Sequence, residues 1–254
     1  MPDSPAVEVR DLRKVYGQGD GAKAAADGLN LKVPQGTFFG FLGPNGAGKT
    51  TTIKMLMGLA TPTAGSIRLL GLSMPEQALE IKQQIGLVPD DSLLFDHLTG
   101  GEFLEFTGRI YGLDRNTVRE RTRELLELFE LSNAPRKMIS EYSKGMRKRV
   151  AMAASLIHRP KLFLMDEPFE GVDAVGARMM KDLLADQVRR GATIFLTSHV
   201  LEVVERLCDH IAIINQGKIV AEGSTEDLRG AGSLEDAFVR AVGVERQRDA
   251  LEWL

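Results

Sequence analysis

A single cysteine, Cys208, stands among 254 residues, so no internal disulfide can staple the fold and no cysteine cluster can hold a metal. A reducing, cytoplasmic setting fits that usage, with Cys208 read as a small core hydrophobe. No apolar run approaches the roughly 18 residues that a membrane-spanning helix needs. The densest, 37–42 and 162–165, are far shorter, so any membrane role has to be borrowed from a partner. Met1-Pro2-Asp3-Ser4 supplies neither the basic stretch nor the apolar core of a secretory signal, and the chain is expected to stay inside the cell. Charge of one sign is missing too. Against 35 Asp+Glu there are 32 Lys+Arg, a net charge of −3, which gives no chain-wide reason to expect nucleic acid as the partner. There is no internal repeat and no low-complexity tract. What is present, 43% hydrophobic and 26% charged residues, excludes a disordered chain. The length suits one ample α/β core or two small ones.

Segments 7–16 and 29–33 are β-rich and flank a Gly/Ala loop at 17–28, in the manner of an open sheet edge. Segment 37–42 is a short apolar strand, 49–59 a helix closed by Thr61-Pro62-Thr63-Ala64-Gly65, and 66–70 a strand. From about 90 to 158 the pattern turns helical, with apolar residues at three- and four-residue spacing in 101–111, 116–129 and 144–157. Strand signals return at 161–165, 192–197 and 210–215, separated by helices at 174–190 and 200–207, the alternation of parallel βαβ units. A last amphipathic helix falls at 234–242, and the charged tail 245–254 is ambiguous.

Gly43-Pro44-Asn45-Gly46-Ala47-Gly48-Lys49-Thr50-Thr51 fits G-x-x-x-x-G-K-[ST] and sits where that motif must, after an apolar strand and opening a helix. Glycines let backbone N–H groups curl round a phosphate chain, and the helix N-terminus adds partial positive charge. In this pattern Lys49 reaches the β- and γ-phosphates and the Thr50 hydroxyl ligates Mg²⁺. Gly17, Gly19 and Gly21 open no helix and read as a flexible loop. Leu162-Phe163-Leu164-Met165-Asp166-Glu167 is an apolar strand ending in two carboxylates. Asp166 can hold Mg²⁺ through its hydration shell and Glu167 can polarise a water; the pair could alternatively cap the next helix, a reading that the phosphate loop upstream weakens.

Tyr142-Ser143-Lys144-Gly145-Met146, placed 23 residues before Asp166, resembles the signature motif of ABC ATPases, commonly LSGGQ. Ser143 and Gly145 agree while Tyr142, Lys144 and Met146 depart; Ser143 is at the same time a natural helix N-cap. Glu170-Gly171-Val172-Asp173 resembles the D-loop, Thr197-Ser198-His199 the switch histidine, and Tyr16 the aromatic that stacks on adenine. The resemblance spans roughly 5–225. It implies an α/β P-loop NTPase (RecA-like) core with an antiparallel β edge and an inserted α-helical subdomain at about 90–158, in a domain covering 1–230, with a C-terminal helical tail over 231–254. It also implies two cassettes packed head to tail, each ATP lying between the Lys49 loop of one and the Ser143 loop of the other. Asp173 and Gly145 then join Tyr16, Gly43, Asn45, Gly46, Gly48, Lys49, Thr50, Thr51 and Ser143 as nucleotide-binding residues, with Glu167 and His199 catalytic.

Where most members carry a glutamine, Val88-Pro89-Asp90-Asp91 offers Asp90, a third candidate for Mg²⁺ beside Thr50 and Asp166 or else a solvated loop acid. Arg147-Lys148-Arg149, the notable basic cluster, reads as a solvated helix face with phosphate contact as the alternative. His97, His158 and His210 read as structural or surface residues. The expected function is that of an ATP-hydrolysing motor subunit. It would couple dimer closure, between identical or paired ATPase subunits, to a separate membrane permease from the inner face of the membrane. Gly232-Ser233-Leu234-Glu235-Asp236-Ala237-Phe238 resembles the end of exporter ATPases with separately encoded permeases. The rivals are a soluble ABC ATPase acting on DNA or ribosomes and a non-hydrolysing regulatory subunit. Leu93, Leu94, Phe95 and Leu98 either pack the helical subdomain or receive a short permease helix.

Overall fold

The computed structural model describes residues 4–90 and 94–243. In chain order the elements are β1 (Val7–Tyr16), β2 (Lys23–Val33), β3 (Phe38–Leu42), α1 (Lys49–Leu56), β4 (Ala64–Leu69), β5 (Leu72–Met74), α2 (Ala78–Lys82) and β6 (Ile85–Val88). Then follow α3 (Gly100–Ile110), α4 (Arg115–Leu128), α5 (Lys144–Leu156), β7 (Leu162–Asp166), α6 (Ala174–Arg189) and β8 (Thr193–Ser198). The chain continues through α7 (Leu201–Leu207), β9 (His210–Asn215), β10 (Lys218–Ser224), α8 (Thr225–Arg229) and α9 (Leu234–Val242).

The strands form two sheets. β2-β1-β4-β5 is antiparallel, and β10-β9-β3-β8-β7-β6 is parallel except for β10. The first strands thus make a sheet of their own, not an edge of the main one. The loop expected at 17–28 is also shorter than read. Lys23 to Gly28, rich in small residues, already belongs to β2, because ladder bonds to β1 (Val15 opposite Ala24, Tyr16 opposite Lys23) outweigh weak local propensity.

The main strands read as unbroken apolar runs because both faces are covered. Phe38 and Leu42, Phe163 and Met165, and Ile194 and Leu196 point into one core; Phe39 and Phe41, Leu162 and Leu164, and Phe195 point into the other. Period two divides each strand between them. Phe39 and Phe195 stack at 5.4 Å on the side facing the antiparallel sheet. On the opposite side lie α3, α4 and α5, the crossover between the neighbouring strands β6 and β7. Thr99 and Glu102 start α3 with a reciprocal capping box, and Asp114 caps α4. α9 buries Leu234 in this same core, and Asn215 donates to the Val242 carbonyl at its end. The tail 245–254 and Leu93 lie outside the described residues.

His158, just past α5, is partly buried, stacked on Tyr111 at 3.6 Å with its Nε2 3.0 Å from the Ile85 carbonyl at the start of β6. Burial, with Arg121 nearby, pushes its pKa down to about 4 against the opposing effect of that bond. Cys208 is buried as expected, its thiol pKa raised by desolvation. Among the described residues no helix is long and apolar enough to cross a membrane.

Candidate nucleotide site

Four parallel strands deliver the site at their C-terminal ends, the side on which open α/β sheets bind ligands. β3 runs into the Gly43–Lys49 loop, β6 into Asp90, β7 into Asp166 and Glu167, and β8 into His199. The loop's glycines answer to real crowding. Gly48 has φ +114°, and a Cβ there would meet the Ala25 carbonyl oxygen at 2.1 Å; one on Gly43 would meet the Ile214 oxygen at 2.4 Å. Lys49 is buried and donates to the Gly43 and Pro44 carbonyls at 2.7 and 3.3 Å. Desolvation lowers its pKa, opposed by the charges of Glu167 and Asp166.

Asp166 is buried and accepts a hydrogen bond from the Thr197 hydroxyl, whose oxygen accepts in turn from the Glu167 backbone N–H at 3.2 Å. Thr197 is the register partner of Asp166, so one cross-strand pair fixes both acids. Glu167 sits at φ +46°, a conformation uncommon for a residue with a side chain. Its carboxylate Oε1 lies 3.0 Å from His199 Nδ1.

Tyr16, Asn45, Gly46, Gly48, Lys49, Thr50 and Thr51 line one pocket with Asp90, Glu167 and His199, a cavity of about 640 Å³. Gly43 and Asp166 stand in the loop and strand end behind it. Lys23 and Glu170 share the same wall, although neither stands among the residues the motifs assign to the site. Lys23 fell in the supposed loop. Glu170 was legible as a carboxylate in the D-loop segment, but nothing local showed that it would turn toward the pocket.

Ser143, Gly145 and Asp173 do not line this pocket. Ser143 caps α5 by accepting from the Met146 N–H, and Asp173 caps α6 by accepting from Gly176. The two loops abut: Lys144 donates to Glu170 at 2.7 Å, holding that carboxyl below its ordinary pKa, and a Cβ on Gly145 would stand 3.0 Å from the Gly171 oxygen. The basic cluster is not a solvated face. Arg147 pairs with Asp96, Arg149 with Glu130 and Asp173, and Lys148 is buried, because its helix packs under β6 and β7.

The donors fit a nucleotide and a hard cation. A glycine cradle, a buried ammonium and a helix start suit phosphates; Thr50, Asp166 and Asp90 offer oxygen alone, the preference of Mg²⁺. Among the described residues no three His, Cys, Asp or Glu side chains converge as a metal cluster. A cation here would take part of its shell from phosphate oxygens and water.

A glycine-cradled lysine, a strand-end carboxylate pair and a histidine beyond the next strand define a P-loop nucleotide-binding domain. The family described as ABC transporter matches residues 26–170, and the chain belongs to the ABC transporter family as an ATP-binding protein. It is 42% identical to an uncharacterised ABC transporter ATP-binding protein of Nostoc sp., over 89% of this chain and 68% of that one. It is 38% identical to daunorubicin resistance ATP-binding protein DrrA3 of Streptomyces coeruleorubidus, over 94% and 75%. The solved structure of an ATP-binding subunit of an ABC transporter superposes with a TM-score of 0.85 at 29% identity, covering 93% of this chain and 99% of the other.

Proposed function

We propose that the chain hydrolyses ATP as the motor subunit of an ABC exporter, working as a head-to-tail dimer on the inner face of the membrane. The observation that carries the chemistry is the Glu167–His199 contact at the mouth of the pocket that Lys49 and Thr50 also line. Tyr16, with 47% of its surface exposed at the pocket rim, stacks on adenine. Backbone N–H groups of the Gly43–Thr51 loop and the Lys49 ammonium hold the phosphates. Thr50, Asp166 and Asp90 hold Mg²⁺, which when bound neutralises phosphate charge. Glu167 accepts a proton from the attacking water, and His199 orients that carboxylate through Nδ1.

The exposed placement of Ser143, with half-buried Gly145 beside it at the start of α5, supports a role on a second copy's nucleotide. The export direction rests on the drug-resistance name of the Streptomyces relative and on the 232–238 segment. For a permease contact, Phe95 is 54% exposed and clusters with Phe106, while Leu94 and Leu98 turn inward to pack the helical subdomain. The test is ATP turnover by the purified chain, alone and reconstituted with its membrane partner. Turnover that the membrane partner stimulates is the expected result; absence of turnover in both settings overturns the proposal.

A further inference from the structure

Lys148 lies one turn into α5, past the Ser143 cap, and its side chain is only 2% exposed. Its ammonium donates to the Pro89, Asp90 and Asp166 carbonyls at 3.2, 2.9 and 3.3 Å, and stands 3.6 Å from the Asp90 carboxylate. Three segments meet there. One is the loop from β6 into the helical subdomain, the second is the end of β7 that carries both strand-end acids, and the third is the helix that Ser143 and Gly145 open.

A buried ammonium with four oxygen partners from separate segments restrains their relative positions, since moving any one segment strips a partner from a charge that water cannot reach. Asp90 has one oxygen on this ammonium while its residue lines the nucleotide pocket. Whatever draws the Asp90 carboxylate toward the nucleotide therefore pulls on α5.

We infer that Lys148 is a positioning residue, tying the Asp90 loop and the Asp166 strand end to the Ser143 helix so that the helix is set for closure when nucleotide is bound. This rests on the head-to-tail reading of the site. The side chain meets no residue assigned to ATP itself, only the Asp90 carboxylate and the Pro89, Asp90 and Asp166 carbonyls, so binding by the single chain and closure of two chains come apart in its variants. Lys148→Met keeps length and removes every donor; Lys148→Gln keeps a neutral donor and removes the charge.

The experiment places both substitutions in full-length Glu167→Gln protein and measures two things: ATP affinity at a protein concentration where it is monomeric, and the ATP-driven shift to dimer on gel filtration. In the otherwise parental chain, kcat and KM for ATP are measured beside them. The expected result is ATP affinity and KM near parental, with at least a tenfold higher protein concentration needed for the dimer shift and a matching fall in kcat in Lys148→Met. Lys148→Gln should recover part of both. Parental dimerisation and kcat in Lys148→Met overturn the inference, and so does an equal loss of affinity and closure in a folded variant. If Lys148→Met does not fold, Lys148→Gln carries the same test; unfolding of both confines the residue to stability and overturns the inference. Failure of Glu167→Gln alone to dimerise with ATP defeats the head-to-tail reading itself, and the inference with it.

Discussion

On the proposed head-to-tail arrangement, the chain presents two unequal halves of a nucleotide site. The Lys49 half is concave and wired to itself: Lys49 to its own loop carbonyls, Asp166 to Thr197, Glu167 to His199. The Ser143 half is an exposed helix start whose polar groups satisfy only local needs, Ser143 capping α5 and Asp173 capping α6 and pairing with Arg149. The first half should therefore bind by itself, because its geometry is held by its own bonds. The second offers a helix N-terminus whose polar groups are turned to capping, and its proposed task lies against another chain's nucleotide.

The largest blow to this contrast should come from within the first half. Glu167→Gln removes the base at constant size, so turnover should fall by about 10²–10⁴-fold while ATP binding persists. Gel filtration with ATP should then show a dimer held closed. Parental turnover would remove Glu167 from the base's role.

Next comes the division of labour. Lys49→Ala should weaken ATP binding about ten- to a hundredfold, the worth of a hydrogen bond to a charged group. Ser143→Arg should leave single-chain binding near parental yet block closure. Mixing the two variants reassembles one intact site per heterodimer, so some closure should return; no gain over either alone breaks the head-to-tail arrangement.

Asp90 tests where the first half ends. Asp90→Asn should raise the Mg²⁺ needed for half-maximal ATPase severalfold, while metal-free nucleotide binding stays level or tightens as a carboxylate is removed. Superimposable Mg²⁺ titrations for the parent, Asp90→Asn and Asp90→Gln would return it to an ordinary loop acid.

The smallest effect lies away from both halves, past the C-terminal end of α5 and against the start of β6. His158 has its folded pKa pushed down to about 4 from an ordinary 6.5, so the folded state favours the neutral ring. Between those values the unfolded chain binds more protons, and stability is lost as pH falls from 6.5 toward 4. His158→Phe keeps a ring against Tyr111 and cannot titrate. Its denaturant midpoint should therefore fall less than the parent's between pH 7 and 5, and parallel pH profiles would refute the assignment.

The first half was largely legible in sequence, because its parts are short motifs at strand ends and the strand ends are marked by apolar runs. Gly48 and Lys49 could be placed without coordinates. The second half was legible as residues but not as contacts. Arg147, Lys148 and Arg149 look alike in the chain, and helix periodicity alone does not say that the middle one turns beneath β6 and β7 while its neighbours pair with acids 51 and 24 residues away. Strand β10, the hairpin partner of β9, went unread because its burial alternates weakly, and the early part of β2 because small residues carry little strand signal.

The pairing of Asp166 with Thr197 has an evolutionary corollary. Glu167 follows the first of these residues by one position and His199 follows the second by two, so the separation of this glutamate and histidine is metered by a ladder rather than by the helix that connects the strands. Additions or deletions of chain within the 174–192 crossover leave that spacing untouched. A single-residue insertion inside β8 would turn its side chains to opposite faces and carry His199 away from Glu167. Length variation among descendants of this sequence should accordingly collect in the crossover and be purged from the strand.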